Sequence, residues 1–318
     1  MTPAMHMPKA APSPTLPNLI IAGVNKGGTT AVFRYLAQHP DVCASAVKET
    51  CHFLPPRYGK PMAPLSSYEA QFSHHAGEPL VIESTPGYFY GRAAVADEIL
   101  RCLPDARLVL ILRDPVERFL SFFHFTRSNQ ALPADLDAEA YLRQCQNTSP
   151  KALRDQEMNP WFGLEGGYYA RYLDPWIERF GDRLFITFFE ALKADPQGYM
   201  RDLAQFSGIS PSPFEQVEFT HENKTRAYGN ARLHGLALAA YRRLSPMLNR
   251  KPRIKSLAAG AYRRVNEVPM ERDRVAEDRL RADLQELYAN SNRALAGRLA
   301  APGAARVQSP LPAWLCEG

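Results

Sequence analysis

Residues 18–37 constrain the fold of this 318-residue chain more than any other stretch does. The apolar run LIIA is followed by a glycine and then by the short turn NKGGTT at residues 25–30. After that turn, apolar side chains recur at the spacing of one helix face. The pattern predicts a buried strand, a tight glycine-rich loop and a helix N-terminus, a typical building unit of α/β proteins.

The residues of this loop indicate a phosphate-binding site. Glycines let the backbone close around a ligand, and successive N–H groups together with the helix dipole favour a phosphate. Lys26 adds a mobile charge, and Thr29 and Thr30 add hydroxyl donors and are expected to cap the helix. The alternative is an ordinary strand–helix turn with chance glycines. The predicted phosphate-binding residues are Lys26, Gly27, Gly28, Thr29 and Thr30.

The order of residues in the loop argues against a nucleoside triphosphate site. In the pattern G-x-x-x-x-G-K-[ST], a lysine directly follows the second glycine. Gly23 and Gly28 have this separation, but Thr29 stands in the lysine position and the lysine comes earlier, at residue 26. A kinase or other NTPase would also need a magnesium-binding aspartate at a strand end, where this chain has Arg113.

A second candidate site follows the most apolar strand of the sequence, RLVLILR at residues 107–113. Asp114 and Pro115 have the residue types that begin a helix, and Ser121 lies about two turns into that helix. Arg113 and Ser121 are therefore predicted to bind a second phosphate from one side of the sheet edge. Strands alternating with helices predict a mostly parallel central sheet flanked by helices, with ligands at the carboxyl ends of its strands.

Composition narrows the class of protein. The chain is 45% hydrophobic and 22% charged, as in soluble globular proteins. Its net charge of +5 is mildly basic, and the sequence lacks the clustered basic residues of a dedicated nucleic-acid binder. The five cysteines are scattered without a C-x-x-C pair, which favours a reducing compartment over a disulfide framework or a metal site. Without a signal peptide or an apolar run long enough to span a membrane, we expect a cytoplasmic protein, or one trimmed of its anchor.

The chain is expected to contain three segments. Residues 1–17 are a disordered leader, residues 18–230 form the core, and residues 231–318 are a helical C-terminal part of the same domain. The basic residues of 242–264 form either a solvated helix face or a patch for an anionic acceptor or membrane surface. The oligomeric state is not encoded in any pattern we recognise.

Several segments resemble the sulfotransferases that use 3′-phosphoadenosine-5′-phosphosulfate (PAPS). K-G-G-T-T resembles their 5′-phosphosulfate loop, and LILRDPVERFLSFFHF at residues 110–125 is very similar to their 3′-phosphate segment, R-[DN]-P-x-x-R-x-x-S. Further segments, KETCHFL, VIESTPGYF and ENKTRAYG, resemble those of the heparan-type and bacterial members. Two departures, Ser84 in place of a lysine and the absence of a late cysteine pair, weaken the case for heparan itself as acceptor.

This resemblance, which covers residues 17–229, implies a P-loop-like sulfotransferase fold and direct in-line transfer of a sulfuryl group from PAPS, without a metal. The acceptor would be a hydroxyl or amine, with a carbohydrate as the first expectation and a lipid or small natural product as the alternative. An inactive nucleotide-binding or scaffolding protein is the alternative of another class.

The resemblance also assigns roles to residues. Glu49 would be the base, with His52 as the rival and a structural pairing of Glu49 with Lys48 as the third possibility. Lys26 would stabilise the bridging oxygen, and Glu83 would orient Lys26 or the acceptor, or be paired structurally. Residues implied to hold the 3′-phosphate are Arg113 and Ser121, with Thr225 and Arg226 closing over it.

Overall fold

The computed structural model describes residues 15–133, 135–219 and 274–316 except Pro302 and Ala304, and the backbone of residues 227–228 and 267–268. Residues 1–14 of the expected leader, the basic region 242–264 and the boundary at 230–231 lie outside the described residues. So do Thr225 and Arg226, whose assignment stays a prediction.

Six of the described strands form one parallel sheet in the order β2-β3-β1-β4-β5-β8. These strands are β1 (Leu19–Gly23), β2 (Val42–Ala44), β3 (Leu80–Ser84), β4 (Arg107–Leu112), β5 (Leu184–Phe188) and β8 (Arg306–Val307). Two further strands, β6 (Ala227–Tyr228) and β7 (Glu267–Val268), pair with each other in antiparallel fashion. The predicted α/β class with a mostly parallel sheet is confirmed.

Helices cover both faces of the sheet, as right-handed crossovers between parallel strands require. The described helices are α1 (Thr29–Leu36), α2 (Leu65–Glu69), α3 (Arg92–Cys102), α4 (Pro115–Ser128), α5 (Ala138–Asn147), α6 (Ala170–Phe180), α7 (Phe189–Ala194), α8 (Pro196–Ser207), α9 (Arg274–Ala300) and α10 (Ala313–Cys316). The last two confirm that the described C-terminal part is mainly helical.

The central strands are buried on both faces, and this is why they read as continuous apolar runs. In β1, Leu19 and Ile21 belong to one core cluster, whereas Ile20 and Ala22 belong to the cluster on the opposite face. The two clusters hold the sheet between its helical layers, so the ends of β1 and β4 are rigid platforms for the loops that follow them.

Two features of the fold were not predicted from the sequence. The strand β8 is only two residues long and pairs with β5, at the edge of the sheet. Residues 15–17, assigned above to the leader, lie against the core, since Leu16 packs on it and the Thr15 hydroxyl is 3.2 Å from Nδ1 of His75. Among the described residues, no helix is both long and apolar enough to cross a membrane.

Candidate active site

The loop after β1 has a backbone that only a few residue types tolerate. Gly28 has φ +91°, and a Cβ there would lie 2.7 Å from the ring of Phe189. Gly27 has no space either, because a Cβ would lie 2.3 Å from the carbonyl oxygen of Ile111, at the end of β4. The glycine pair thus lets the loop pack directly against the end of β4.

We expect Gly27→Ala to destabilise the protein by about 1–3 kcal/mol, because the added methyl group overlaps backbone rather than a movable side chain. Urea unfolding measures this difference. Gly297→Ala is the matched control, since a Cβ at Gly297 meets nothing within 4 Å and the residue lies in α9. Equal stability of the Gly27→Ala and parent proteins would show that the loop can move away from β4.

The helix α1 begins directly after this loop. Gly28 is its N-cap residue and no described side chain caps it, so the expectation that Thr29 and Thr30 cap the helix is wrong. The reason is the left-handed conformation at Gly28, which turns the chain into the helix without a side-chain bond. The first two residues of α1, Thr29 and Thr30, line the cavity described below, and the N–H groups of a helix's first turn have no partner within the helix.

Arg113 connects the end of β4 to the loop. Its Nη1 donates to the carbonyl oxygen of Lys26 at 3.0 Å, and its guanidinium lies 4.6 Å from the centre of the Phe189 ring. The hydroxyl of Tyr169 donates to the Arg113 carbonyl at 2.8 Å. Burial lowers the pKa of Arg113. This partly buried cation, fixed through its backbone and its side chain, is suited to bind an anion.

Lys26 is a partly buried cation with φ 69°. Its ammonium lies 4.4 Å from the ring centre of Phe125. Burial, and next the charge of Arg113, lower the pKa of Lys26 to about 8, while Glu49 opposes this shift. A lysine so placed gains strongly from an added negative charge, such as a phosphate or a sulfuryl oxygen.

The loop after β2 brings Glu49 to the same place. Its backbone N–H donates to the Ser84 carbonyl at 3.0 Å, and Oε1 is 2.7 Å from Nζ of Lys48. The Glu49 side chain is nevertheless 50% exposed. Lys26, Glu49 and Cys51 all combine positive φ with a position on the cavity wall, and such strained backbone is often found at functional sites.

Glu83 lies beneath this loop and is completely buried. Its Oε2 accepts from the hydroxyls of Thr50 at 2.5 Å and Thr85 at 3.3 Å. Burial raises the pKa of Glu83 to about 7, against the lowering effect of these hydrogen bonds. Glu83 therefore holds the Glu49 loop through Thr50, and it does not line the cavity itself.

His52 is only 7% exposed and does not line the cavity. Its ring stacks on Tyr68 at 4.5 Å and contacts Phe53 edge-on at 4.8 Å. Burial lowers the pKa of His52, and its Nε2 has no hydrogen-bond partner among the described residues. The structure therefore places His52 in an aromatic cluster, which favours Glu49 as the base.

One cavity of about 800 Å³ collects nearly all the predicted site residues. Those on its wall are Lys26, Gly28, Thr29, Thr30, Glu49, Arg113 and Ser121. Gly27 lies behind the wall, against β4, and His52 lies in the neighbouring core. The carboxyl ends of β1 and β4 thus form the floor, as expected for a parallel sheet.

Three residues on the wall were missed by sequence reasoning. Arg57 lies 4.5 Å from the ring centre of Phe162, Phe125 is 43% exposed, and Arg281 comes from the distant helix α9. The signal for Arg281 is weak, because one arginine among many in a charged helix has no distinguishing spacing. Phe125 could have been found, since it follows Ser121 by four residues and so shares its helix face.

The sequence of the chain is similar to those of known proteins. The family model described as sulfotransferase domain matches residues 16–228. Mouse heparan sulfate glucosamine 3-O-sulfotransferase 3B1 is 33% identical over 201 residues, covering 63% of this chain and 48% of that protein. The human 3B1 protein is 30% identical over 231 residues, covering 70% and 55%. The chain thus spans about half the length of the curated relatives it matches.

A solved structure shares the fold. The crystal structure of a sulfotransferase from Alicyclobacillus acidocaldarius aligns with a TM-score of 0.58 and 24% identity, covering 66% of this chain and 87% of that one. The family model alone matches more than half of the 318 residues, and its span includes the loop, Glu49, Arg113 and Ser121. The chain therefore belongs to the sulfotransferase family.

Proposed function

We propose that this protein transfers the sulfuryl group of PAPS to a hydroxyl or amine of an acceptor, and that this acceptor is a carbohydrate. The observation that supports this most is the common cavity, in which a glycine-rich loop, a partly buried arginine and an exposed carboxylate meet. The glycine-rich loop follows β1, the carboxylate of Glu49 lies in the loop after β2, and Arg113 follows β4. These three segments are far apart in the sequence and come together only in the folded chain.

The described residues fit a nucleotide with phosphates at both ends. The glycine turn and the start of α1 suit the 5′-phosphate, because the two glycines allow the loop to pack against Ile111 and Phe189 and so bring the N-terminus of α1 to the cavity. Arg113 and Ser121 suit the 3′-phosphate. When bound, PAPS would supply the sulfuryl group that is transferred, and its 5′-phosphate would be the leaving group.

Lys26 is proposed to neutralise the charge that gathers on the bridging oxygen as transfer proceeds. Its ammonium lies on the cavity wall, 4.4 Å from the ring centre of Phe125, and burial together with the charge of Arg113 lowers its pKa to about 8. A fixed cation in a partly dehydrated site stabilises developing charge more than the same cation in water does.

Glu49 is proposed to take the proton from the acceptor hydroxyl or amine. Half of its side chain is exposed to the cavity, so an acceptor can reach it, whereas His52 is sealed in the aromatic cluster. The Lys48 ammonium, 2.7 Å from Oε1, leaves the second carboxylate oxygen for the acceptor.

A carbohydrate acceptor is supported by two observations. The relatives named above are heparan sulfate glucosamine 3-O-sulfotransferases. The cavity wall also carries Tyr58, Asn159 and Pro160, and an aromatic ring and an amide side chain suit the apolar face and the hydroxyls of a sugar.

Radiolabelled PAPS tests the proposal with three acceptor classes, namely unsulfated glycosaminoglycan-type polysaccharides, lipids and small phenols. We expect label in the polysaccharide fraction, and tight binding of the desulfated nucleotide PAP that EDTA does not weaken. Label only in a lipid or low-mass fraction would overturn the carbohydrate assignment but not the sulfotransferase activity. Failure to bind PAP at all would overturn the whole proposal.

A further inference from the structure

The helix α9 forms part of the wall near the proposed 3′-phosphate site. Leu280, Leu284 and Tyr288 are buried in a cluster with residues of α4 that include Phe119 and Phe123. These α9 residues recur at intervals of four, so one face of the helix lies along α4. The helix that carries Ser121 thus has a second helix fixed beside it.

A buried pair fixes the beginning of this contact. Nε2 of His124 lies 2.8 Å from Oε1 of Glu277, and both side chains are almost fully buried. Glu277 is one turn before Arg281, so the same helix face that is anchored by this pair continues into the cavity. The position of Arg281 is therefore set by packing and not only by its own flexible chain.

One carboxylate connects Arg281 to Arg113. Oε1 of Glu117 accepts from Nη1 of Arg281, while Oε2 of Glu117 lies 3.9 Å from Nη2 of Arg113. Ser121 follows Glu117 by one helical turn and lines the same cavity. Both guanidinium groups therefore lie on the wall to which the 3′-phosphate is assigned.

Among the residues that line the cavity, cations outnumber carboxylates, with Lys26, Arg57, Arg113 and Arg281 against Glu49 and Glu117, while Asp114 and Glu190 act on these arginines from outside the lining. Two guanidinium groups share the single carboxylate of Glu117, and the other ion pair of Arg281, with Asp278 at 3.5 Å, involves a carboxylate that is 74% exposed. A guanidinium has five N–H donors, so Arg281 can keep Glu117 and still donate to a phosphate. Its side chain is 32% exposed and so remains accessible.

We infer that Arg281 is a further nucleotide-binding residue, which donates to the 3′-phosphate together with Arg113. The inference rests on the proposed function, because it assumes a nucleotide with a 3′-phosphate. It makes the C-terminal helix a part of the nucleotide site and gives Glu117 the role of positioning both arginines.

Binding of two nucleotides to the full-length protein tests this, with PAP carrying a 3′-phosphate and adenosine 5′-phosphate lacking it. Arg281→Met keeps the apolar stem of the side chain, and Arg279→Met, an exposed arginine of the same helix, is the matched control. We expect Arg281→Met to weaken PAP binding about 10- to 100-fold, the value of a charge-assisted hydrogen bond, and adenosine 5′-phosphate binding less than about twofold. Arg279→Met should change neither, and Arg281→Lys should lie in between.

Three results would contradict the inference in different ways. Unchanged PAP binding by Arg281→Met overturns it directly. An equal loss for both nucleotides shows that the residue only supports the fold, which a lowered melting temperature would corroborate. A parent protein that binds PAP no better than adenosine 5′-phosphate overturns the proposed function, and the inference with it.

Discussion

Replacing Lys26 with alanine is expected to lower kcat about 10²- to 10³-fold, the usual cost of losing one preorganised group that stabilises transition-state charge. The ammonium is held in the cavity beside Arg113 and Glu49, where burial strengthens its interaction with a developing anion. Single-turnover transfer from labelled PAPS measures the chemical step. Nucleotide affinity should change much less than kcat, since the loop glycines and Arg113 remain.

Lys60→Ala is a suitable control, because Lys60 is exposed and does not line the cavity. Its ammonium donates to Oε1 of Gln156 at 3.3 Å. Its activity should equal that of the parent protein. Full activity of Lys26→Ala would contradict the assignment of this loop to catalysis.

The same lysine predicts a pH dependence. With a pKa of about 8 in the unliganded protein, Lys26 loses its charge as the pH rises through 8, so kcat/KM is expected to fall on the alkaline side. Bound phosphates favour the charged form, and the alkaline limb of kcat should therefore lie at higher pH than that of kcat/KM. Lys26→Arg should remove this limb, because an arginine stays charged.

Replacing Glu49 with glutamine is expected to lower kcat about 10²- to 10⁴-fold, the range for loss of a general base. The shape of the side chain is kept, so PAP binding should be unchanged. The matched variant is His52→Gln, which should lose less than about tenfold, since His52 is sealed between Tyr68 and Phe53.

The two variants also decide between the candidate bases. A large loss in His52→Gln with intact melting temperature, and a small one in Glu49→Gln, would assign the proton transfer to His52. A large loss of kcat in Glu49→Gln alone, with intact PAP binding and melting temperature, would assign the proton transfer to Glu49.

Local sequence determined the framework of this protein. The apolar runs of β1 and β4 are buried on both faces, and a strand of this kind is recognisable without knowing its neighbours. The loop at residues 25–30 could also be predicted from the sequence, because its glycines are needed for the backbone conformation of the loop itself. Asp114 caps α4 through Val116, again a contact between near neighbours in sequence.

Only the tertiary structure decided the features that depend on distant partners. The two-residue strand β8 exists because β5 offers an open edge, and its sequence has no strand periodicity of its own. His52 was a plausible base by residue type, but packing against Tyr68 closed it off from the cavity. Arg281 reaches the site only because Leu280 and Leu284 bury α9 against α4. Sequence patterns report interactions over one or two turns, whereas burial and charge in a cavity are set by residues far apart in the chain.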